Sequence, residues 1–267
     1  MSRIAEAFAR SRAEGRVAFF PFMTVGFPDL ETSLELVKAM VEAGADGIEL
    51  GIPFSDPLAD GPTIQRATYR ALQQGTTPHD AIDIVRRLRS AGVAVPLILM
   101  GYSNTFLALG EEAFISDAAA AGADGLIISD LPPEESDEVL GVCRKHGLDL
   151  IFLLAPTSDD RRIEQVLARA SGFIYCVAVV GVTGAREDLS RELPDFLARL
   201  RKRTDLPLAV GFGISKREHV LALQGLADAA IVGAALVDTV ESSPRDECVG
   251  RVQRYVEVLT GRKEATT

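Results

Sequence analysis

Glu42-Ala43-Gly44-Ala45-Asp46-Gly47-Ile48 returns almost unchanged at Ala120-Ala121-Gly122-Ala123-Asp124-Gly125-Leu126, and more weakly at Gly225-Leu226-Ala227-Asp228-Ala229-Ala230-Ile231. Each copy reads as a glycine closing a helix, followed by a short turn into an apolar strand. As a recurrent turn the motif carries no chemistry of its own, but it counts units. Outward from it, short apolar runs predict strands at Ala18 to Thr24, Gly47 to Ile52, Val95 to Met100, Gly125 to Ser129, Leu148 to Leu153, Phe173 to Val177, Leu206 to Gly211 and Ala229 to Gly233. Between them, helical patterns run over Leu30 to Ala43, Pro78 to Ala91, Glu111 to Ala121, Pro133 to His146, Asp159 to Ala170, Leu193 to Arg203 and Lys216 to Leu223. Apolar strands alternating with helices imply parallel strands covered by helices. Eight such units in 267 residues predict an α/β fold, a single (β/α)8 TIM barrel over residues 1–267, better than an open doubly wound sheet. Met1 to Gly15 adds an amphipathic helix in front.

Composition narrows the partners. The chain is 47% hydrophobic and 25% charged, and its formal charge is -10 without a basic cluster. That balance argues against nucleic acid and anionic membrane, both of which are gripped largely by Lys and Arg. An anionic substrate would have to be held by local backbone dipoles. No apolar run approaches the roughly 20 residues of a membrane helix, and the start lacks the apolar stretch of a secretory signal. Cys143, Cys176 and Cys248 are odd in number, widely spaced and without a Cys-x-x-Cys pair, which favours reduced thiols in a cytoplasmic protein.

The second predicted strand holds the chemistry. From Gly47 to Ile52 the side chains alternate, so Ile48, Leu50 and Ile52 share one face while Glu49 lies between Gly47 and Gly51 on the other. Two neighbours without side chains leave space for a ligand beside the carboxylate. Burial raises a carboxyl pKa, as a general acid requires. Asp60 lies in the loop beyond, so two acids converge on one mouth; Asp60-Gly61-Pro62 also reads as a helix start, and Asp56 before Pro57 as a turn former. The late strand ends carry Gly181 to Arg186, Gly211 to Ser215 and Gly233 to Ala235, loops suited to presenting N–H groups to a phosphate. Phe22, Met100, Tyr102, Ile127, Leu153, Tyr175 and Phe212 fall at or just beyond other strand ends and could line a flat apolar slot or simply fill the barrel.

Eliminations restrict the reaction. A Schiff-base aldolase needs a lysine at a strand end, whereas Lys38, Lys145, Lys202, Lys216 and Lys263 fall in helical or terminal stretches. His79, His146 and His219 are scattered over predicted helices, so no metal is expected. What remains is cofactor-free acid–base work on a phosphorylated substrate that supplies its own electron sink. A sugar-phosphate epimerase or isomerase, or a non-catalytic regulatory partner, also fits the barrel.

At Glu49-Leu50-Gly51-Ile52-Pro53-Phe54-Ser55-Asp56-Pro57-Leu58-Ala59-Asp60-Gly61-Pro62-Thr63-Ile64-Gln65 the chain resembles tryptophan synthase α subunits over nearly its whole length. Asp130-Leu131-Pro132-Pro133-Glu134-Glu135-Ser136, Gly181-Val182-Thr183-Gly184-Ala185 and Gly211-Phe212-Gly213-Ile214-Ser215 join it. The resemblance implies cleavage of indole-3-glycerol phosphate to indole and glyceraldehyde 3-phosphate, a retro-aldol step in L-tryptophan biosynthesis. Glu49 would then shuttle the proton and Asp60 would hold the ring N–H. The seven apolar and aromatic residues would hold the indole and propanol parts, with Thr183 on a loop closing near Asp60. Gly184, Gly213, Gly233 and Ala234 would face the phosphate. The resemblance further implies a PLP-dependent β subunit as partner in an α2β2 complex, met through the loop Pro53 to Asp60, including Asp56, and the region of Asn104. PLP would belong to that partner. A stand-alone lyase working without a β subunit is the related alternative. Ala234 stands where many relatives have serine, Phe27 where many are acidic, and Ala178-Val179-Val180 replaces a more polar stretch.

Overall fold

The computed structural model describes residues 1–177, 192–211 and 213–264. Eight parallel strands close on themselves in chain order: β1 (Ala18–Thr24), β2 (Ile48–Gly51), β3 (Leu97–Gly101), β4 (Gly125–Ile128), β5 (Asp149–Leu154), β6 (Ile174–Val177), β7 (Leu208–Gly211) and β8 (Ala229–Val232), with β8 pairing back to β1. The helices described are α1 (Arg3–Ala13), α2 (Leu30–Glu42), α3 (Pro62–Gln73), α4 (Pro78–Ser90), α5 (Ser103–Leu109), α6 (Glu111–Ala121), α7 (Asp137–His146), α8 (Asp160–Leu167), α9 (Leu193–Arg201), α10 (Arg217–Ala222), α11 (Ala234–Glu241) and α12 (Cys248–Thr260). The barrel expectation therefore holds. Pro133 to His146 divides into a 3-10 turn (Pro133–Glu135) and α7, while α3, α5, α11 and α12 add helices that the apolar runs had not marked.

Strand alternation sorts the core into two shells. Met23, Ile48, Leu50, Leu97, Leu99, Leu126, Ile128, Leu150, Phe152, Ile174, Cys176, Leu208 and Val210 face the surrounding helices. Phe20, Phe22, Ile98, Met100, Ile127, Ile151, Phe173, Tyr175, Ala209 and Ile231 fill the barrel interior. α1 stoppers the N-terminal end, where Ile4, Ala7 and Phe8 join the interior cluster and Phe8 lies 5.5 Å from the ring of Phe20 and 5.8 Å from that of Phe173.

The repeated turn explains how α1 is held there. Asp46, Asp124 and Asp228, one from each copy, accept the N–H groups of Phe19, Leu97 and Leu208 at 2.8–2.9 Å, bonding the preceding strand starts to the next turn. The same carboxylates receive arginines from α1 or just after it: Arg10 and Arg16 on Asp46, Arg3 on Asp124 and Arg12 on Asp228. Arg89 and Arg201 complete the second and third of these clusters at 2.5 Å. Repeating this turn along the chain thus serves stability at the N-terminal face of the barrel, as expected for that end of such a fold.

Candidate active site

Glu49 points into the barrel. Its register partners are Phe22 on β1 and Ile98 on β3, both interior residues, while its neighbours Ile48 and Leu50 belong to the outer shell. The side chain is fully buried, and neither carboxyl oxygen has a hydrogen-bond partner among the described residues. Burial alone pushes its pKa up to about 8, so the group is largely protonated at neutral pH. The glycines on either side do not leave the open space expected of them. A Cβ on Gly47 would run into the ring of Phe20, and one on Gly51 into the ring of Phe22. These bare positions let β1 aromatics close over β2, so the route to Glu49 lies toward the C-terminal mouth.

Asp60 lies at that mouth, half-buried in the loop between β2 and α3. It does not cap the helix: Gly61 is the N-cap of α3, with no side-chain cap hydrogen bond. Its carboxyl is raised to about 6 by burial, an effect that the nearby Tyr102 opposes. Tyr175 on β6 responds electrostatically to both acids, being held well above the usual phenol range by burial and by the charges of Glu49 and then Asp60. Both acids therefore lie near enough to Tyr175 to act on its phenol. Gly211 makes room for it, since a Cβ there would strike the Tyr175 hydroxyl.

The structure brings Phe22, Met100, Ile127 and Tyr175 into the interior cluster, with Leu153 packed against it. Tyr102 is buried just beyond β3. Gly213, with φ of 81°, follows β7, and Gly233 is the N-cap of α11, whose first residue is Ala234 and which no side chain caps among the described residues. Thr183, Gly184 and Phe212 lie outside the described residues, as do Ala178, Val179 and Val180. Asp56 and Asn104 are exposed, whereas Pro53 is buried and offers no free face to a partner. Phe27 is buried as well, beneath the guanidinium of Arg70 at 5.8 Å.

Sequence reasoning missed several residues. Thr24 and Ser129 carry buried hydroxyls without a hydrogen-bond partner among the described residues, and Thr24 continues the interior face of Phe20 and Phe22. Simple alternation along β1 would have found Thr24. Leu58 and Leu107 are exposed apolar side chains at the same end, 93% and 60% accessible, beside the exposed Asp56 and Asn104. Cavities of about 560 and 630 Å³ open at the opposite face around α1, but their arginines are engaged with Asp46, Asp228 and helix-end carbonyls. Among the described residues, the buried side-chain polar atoms without a hydrogen-bond partner are those of Thr24, Glu49 and Ser129 on or beside the strands, and His146 and Arg199 on the outer helices.

Comparison with known proteins gives this arrangement its context. The family model described as tryptophan synthase alpha chain matches residues 8–266. The chain belongs to the tryptophan synthase alpha chain family. It is 54% identical over 261 residues to the tryptophan synthase alpha chain of Roseiflexus sp. (strain RS-1), covering 98% of this chain and 100% of that one. To the alpha chain of Chloroflexus aurantiacus (strain ATCC 29364 / DSM 637 / Y-400-fl) it is 53% identical, covering 97% of each. Among solved structures, a Mycobacterium tuberculosis tryptophan synthase superposes with a TM-score of 0.89 at 37% identity over 97% of both chains. The tryptophan synthase subunit alpha of Legionella pneumophila str. Paris gives 0.89 at 36% identity over 98% of both. As an alpha chain of tryptophan biosynthesis, this protein is a carbon–carbon lyase acting on indole-3-glycerol phosphate.

Proposed function

We propose that Glu49 is the single proton carrier of this cleavage and that Asp60 is its electrostatic partner. Glu49, protonated at rest, gives its proton to indole C3, which leaves positive charge on the ring nitrogen. Asp60, ionised, accepts the ring N–H and stabilises that charge where it develops. The Glu49 carboxylate then removes the proton from the adjacent side-chain hydroxyl. As the aldehyde forms, the C–C bond breaks and its electrons return to the ring, so indole leaves and Glu49 is protonated again. One carboxyl thus acts as acid and then base, and the ring serves as electron sink without a cofactor. What supports this reading is a Glu49 carboxyl fully buried on the interior face of β2, without a hydrogen-bond partner among the described residues and raised to about 8 by burial, followed in the next loop by Asp60, raised to about 6.

Phe22, Met100, Tyr102, Ile127, Leu153, Tyr175 and Phe212 would hold the aryl and propanol parts, and Thr183 would close over Asp60. Gly184, Gly213, Gly233 and Ala234 would present N–H groups to the phosphate, which suits a chain of charge -10 better than a lysine cradle. Working as one barrel domain in the cytoplasm, the chain would meet a tryptophan synthase β subunit in an α2β2 complex through the Asp56, Leu58, Asn104 and Leu107 surface. PLP belongs to that partner. Purified protein assayed with indole-3-glycerol phosphate, with and without a β subunit, tests the proposal through indole formation. Release by the native chain and none by Glu49→Gln is expected; a Glu49→Gln protein retaining most of the rate excludes Glu49 as proton carrier.

A further inference from the structure

We infer that the cavity of about 560 Å³ at the N-terminal face is a second binding site, built for a small organic anion, a phosphomonoester on an apolar body. It opens where α1 meets the last turns of α2 and α12 and the start of α10. Four arginines line it, Arg10, Arg16, Arg217 and Arg262, against two acids, Glu14 and Asp46, in a chain whose formal charge is -10. Arg16 engages both acids: its Nη atoms lie on the two Asp46 oxygens at 2.6 and 2.8 Å, and its Nε on Glu14 at 2.5 Å. Arg10 adds one bond to Asp46 at 3.2 Å. Arg217 and Arg262 have no carboxylate partner among the described residues. Each donates once, Arg217 to the Leu259 carbonyl at 2.6 Å and Arg262 to the Glu42 carbonyl at 2.7 Å. A guanidinium carries five N–H donors, so these helix-end contacts leave most of each fork unused and its charge unpaired.

The repeated turn provides an internal control. Its glycine makes room for an arginine in two copies: a Cβ on Gly122 would meet the Arg89 side chain, and one on Gly44 that of Arg262. Arg89 bonds to the Asp124 carboxylate and to the Gly122, Val93 and Val95 carbonyls. Over Gly44 the corresponding aspartate, Asp46, is already held by Arg16, and Arg262 is left with a single carbonyl. Gly261 makes room for Arg217 in the same way, since a Cβ there would lie 2.5 Å from its Nη2. Helix-end capping accounts for one bond of each arginine, but not for two unneutralised guanidiniums lining one cavity. Such forks grip phosphate oxygens bidentately, and a recess of one sign concentrates the opposite ion. Val41, Val95, Val220 and the exposed Leu221 form an apolar wall for the body of the ligand. The volume is that of a small-molecule site, roughly 300–1,000 Å³.

Phenyl phosphate is the probe, with inorganic phosphate and benzyl alcohol as controls. Binding is read at the site from the ¹⁵N–¹H signals of the Arg217 and Arg262 Nε groups, assigned with Arg217→Gln and Arg262→Gln. Phenyl phosphate held at the catalytic mouth leaves these signals in place. Both should shift saturably, with an affinity about tenfold above that for inorganic phosphate from burial of part of the ring, and benzyl alcohol should shift neither. Each single variant should weaken the response of the remaining arginine about tenfold, for the loss of one charge-assisted contact, while indole formation stays at the native rate. No saturable shift, an equal response to benzyl alcohol, or an affinity unchanged in both variants overturns the site; equal affinity for inorganic phosphate overturns the apolar-bodied ligand. The native titration decides the question even where a variant does not fold. A native chain that releases no indole sinks the lyase roles above and leaves this result standing.

Discussion

Glu49→Gln should give an inactive protein that is more stable than the native one, and more so as pH rises. The carboxyl has a pKa of about 8 in the fold against 4.5 for the unperturbed group, and it is fully buried. An acid whose pKa is raised by folding imposes no penalty below its unfolded pKa, where both states bind the proton. The penalty grows as pH climbs from there toward the folded pKa, because only the unfolded chain gains by ionising. At about 1.4 kcal/mol per unit, native Glu49 costs about 1 kcal/mol at pH 5 and about 4 kcal/mol at pH 7.5. Glutamine keeps the shape and cannot ionise, and its own unsatisfied amide costs the same at both pH values. The difference in unfolding free energy between Glu49→Gln and native protein should thus increase by about 3 kcal/mol between pH 5 and pH 7.5. Urea unfolding of both proteins at the two pH values measures it, since every other titrating group cancels in the comparison. A difference independent of pH would mean that Glu49 is paired or solvated, and the argument for a neutral proton donor would fail.

The remaining expectations concern other parts of the barrel. Indole formation should follow a bell in kcat/KM, losing activity below about pH 6 as Asp60 takes up a proton and above about pH 8 as Glu49 loses its own; a flat profile across both would exclude the assignment. Asp124→Ala leaves the Leu97 N–H without its acceptor and takes the carboxylate from Arg89, which keeps its bonds to the Gly122, Val93 and Val95 carbonyls, and should cost about 3 kcal/mol of stability by urea unfolding while kcat per folded molecule stays within about twofold. Gly51→Ala pushes a methyl group into the Phe22 ring; overpacking of this kind costs about 1–3 kcal/mol, and displacement of Phe22 should raise KM for the indole substrate, which steady-state kinetics would show.

Local pattern carried most of the fold. β1 begins and ends at Ala18 and Thr24 and α6 at Glu111 and Ala121, as their apolar and alanine-rich runs predict. Where periodicity was legible but passed over, as in α12 with Val252, Val256 and Leu259 buried on one face, the missing signal was a following strand. α3 opens on Gly61 without a side-chain cap, so only Pro62 marked its start. Long-range effects were out of reach. Nothing local to Gly47 and Gly51 says that Phe20 and Phe22, some thirty residues earlier, occupy the space beside them. Likewise the aspartates of the repeated turn acquire their purpose from arginines of α1, which for Asp228 lie more than two hundred residues away. Glu49 was legible because its surroundings violate the apolar pattern of a buried strand. Tyr102 was legible as an aromatic at a strand end, but its bond to Ala59 depends on how the β2–α3 loop folds back.

Everything in this mechanism requires that Glu49 carry its proton at neutral pH inside the barrel. Titration of its ¹³C-labelled carboxyl, assigned against Glu49→Gln, measures that directly. A single transition near pH 8, with the carboxyl neutral at pH 7, is the predicted result. A Glu49 carboxylate already ionised at pH 6 would contradict it.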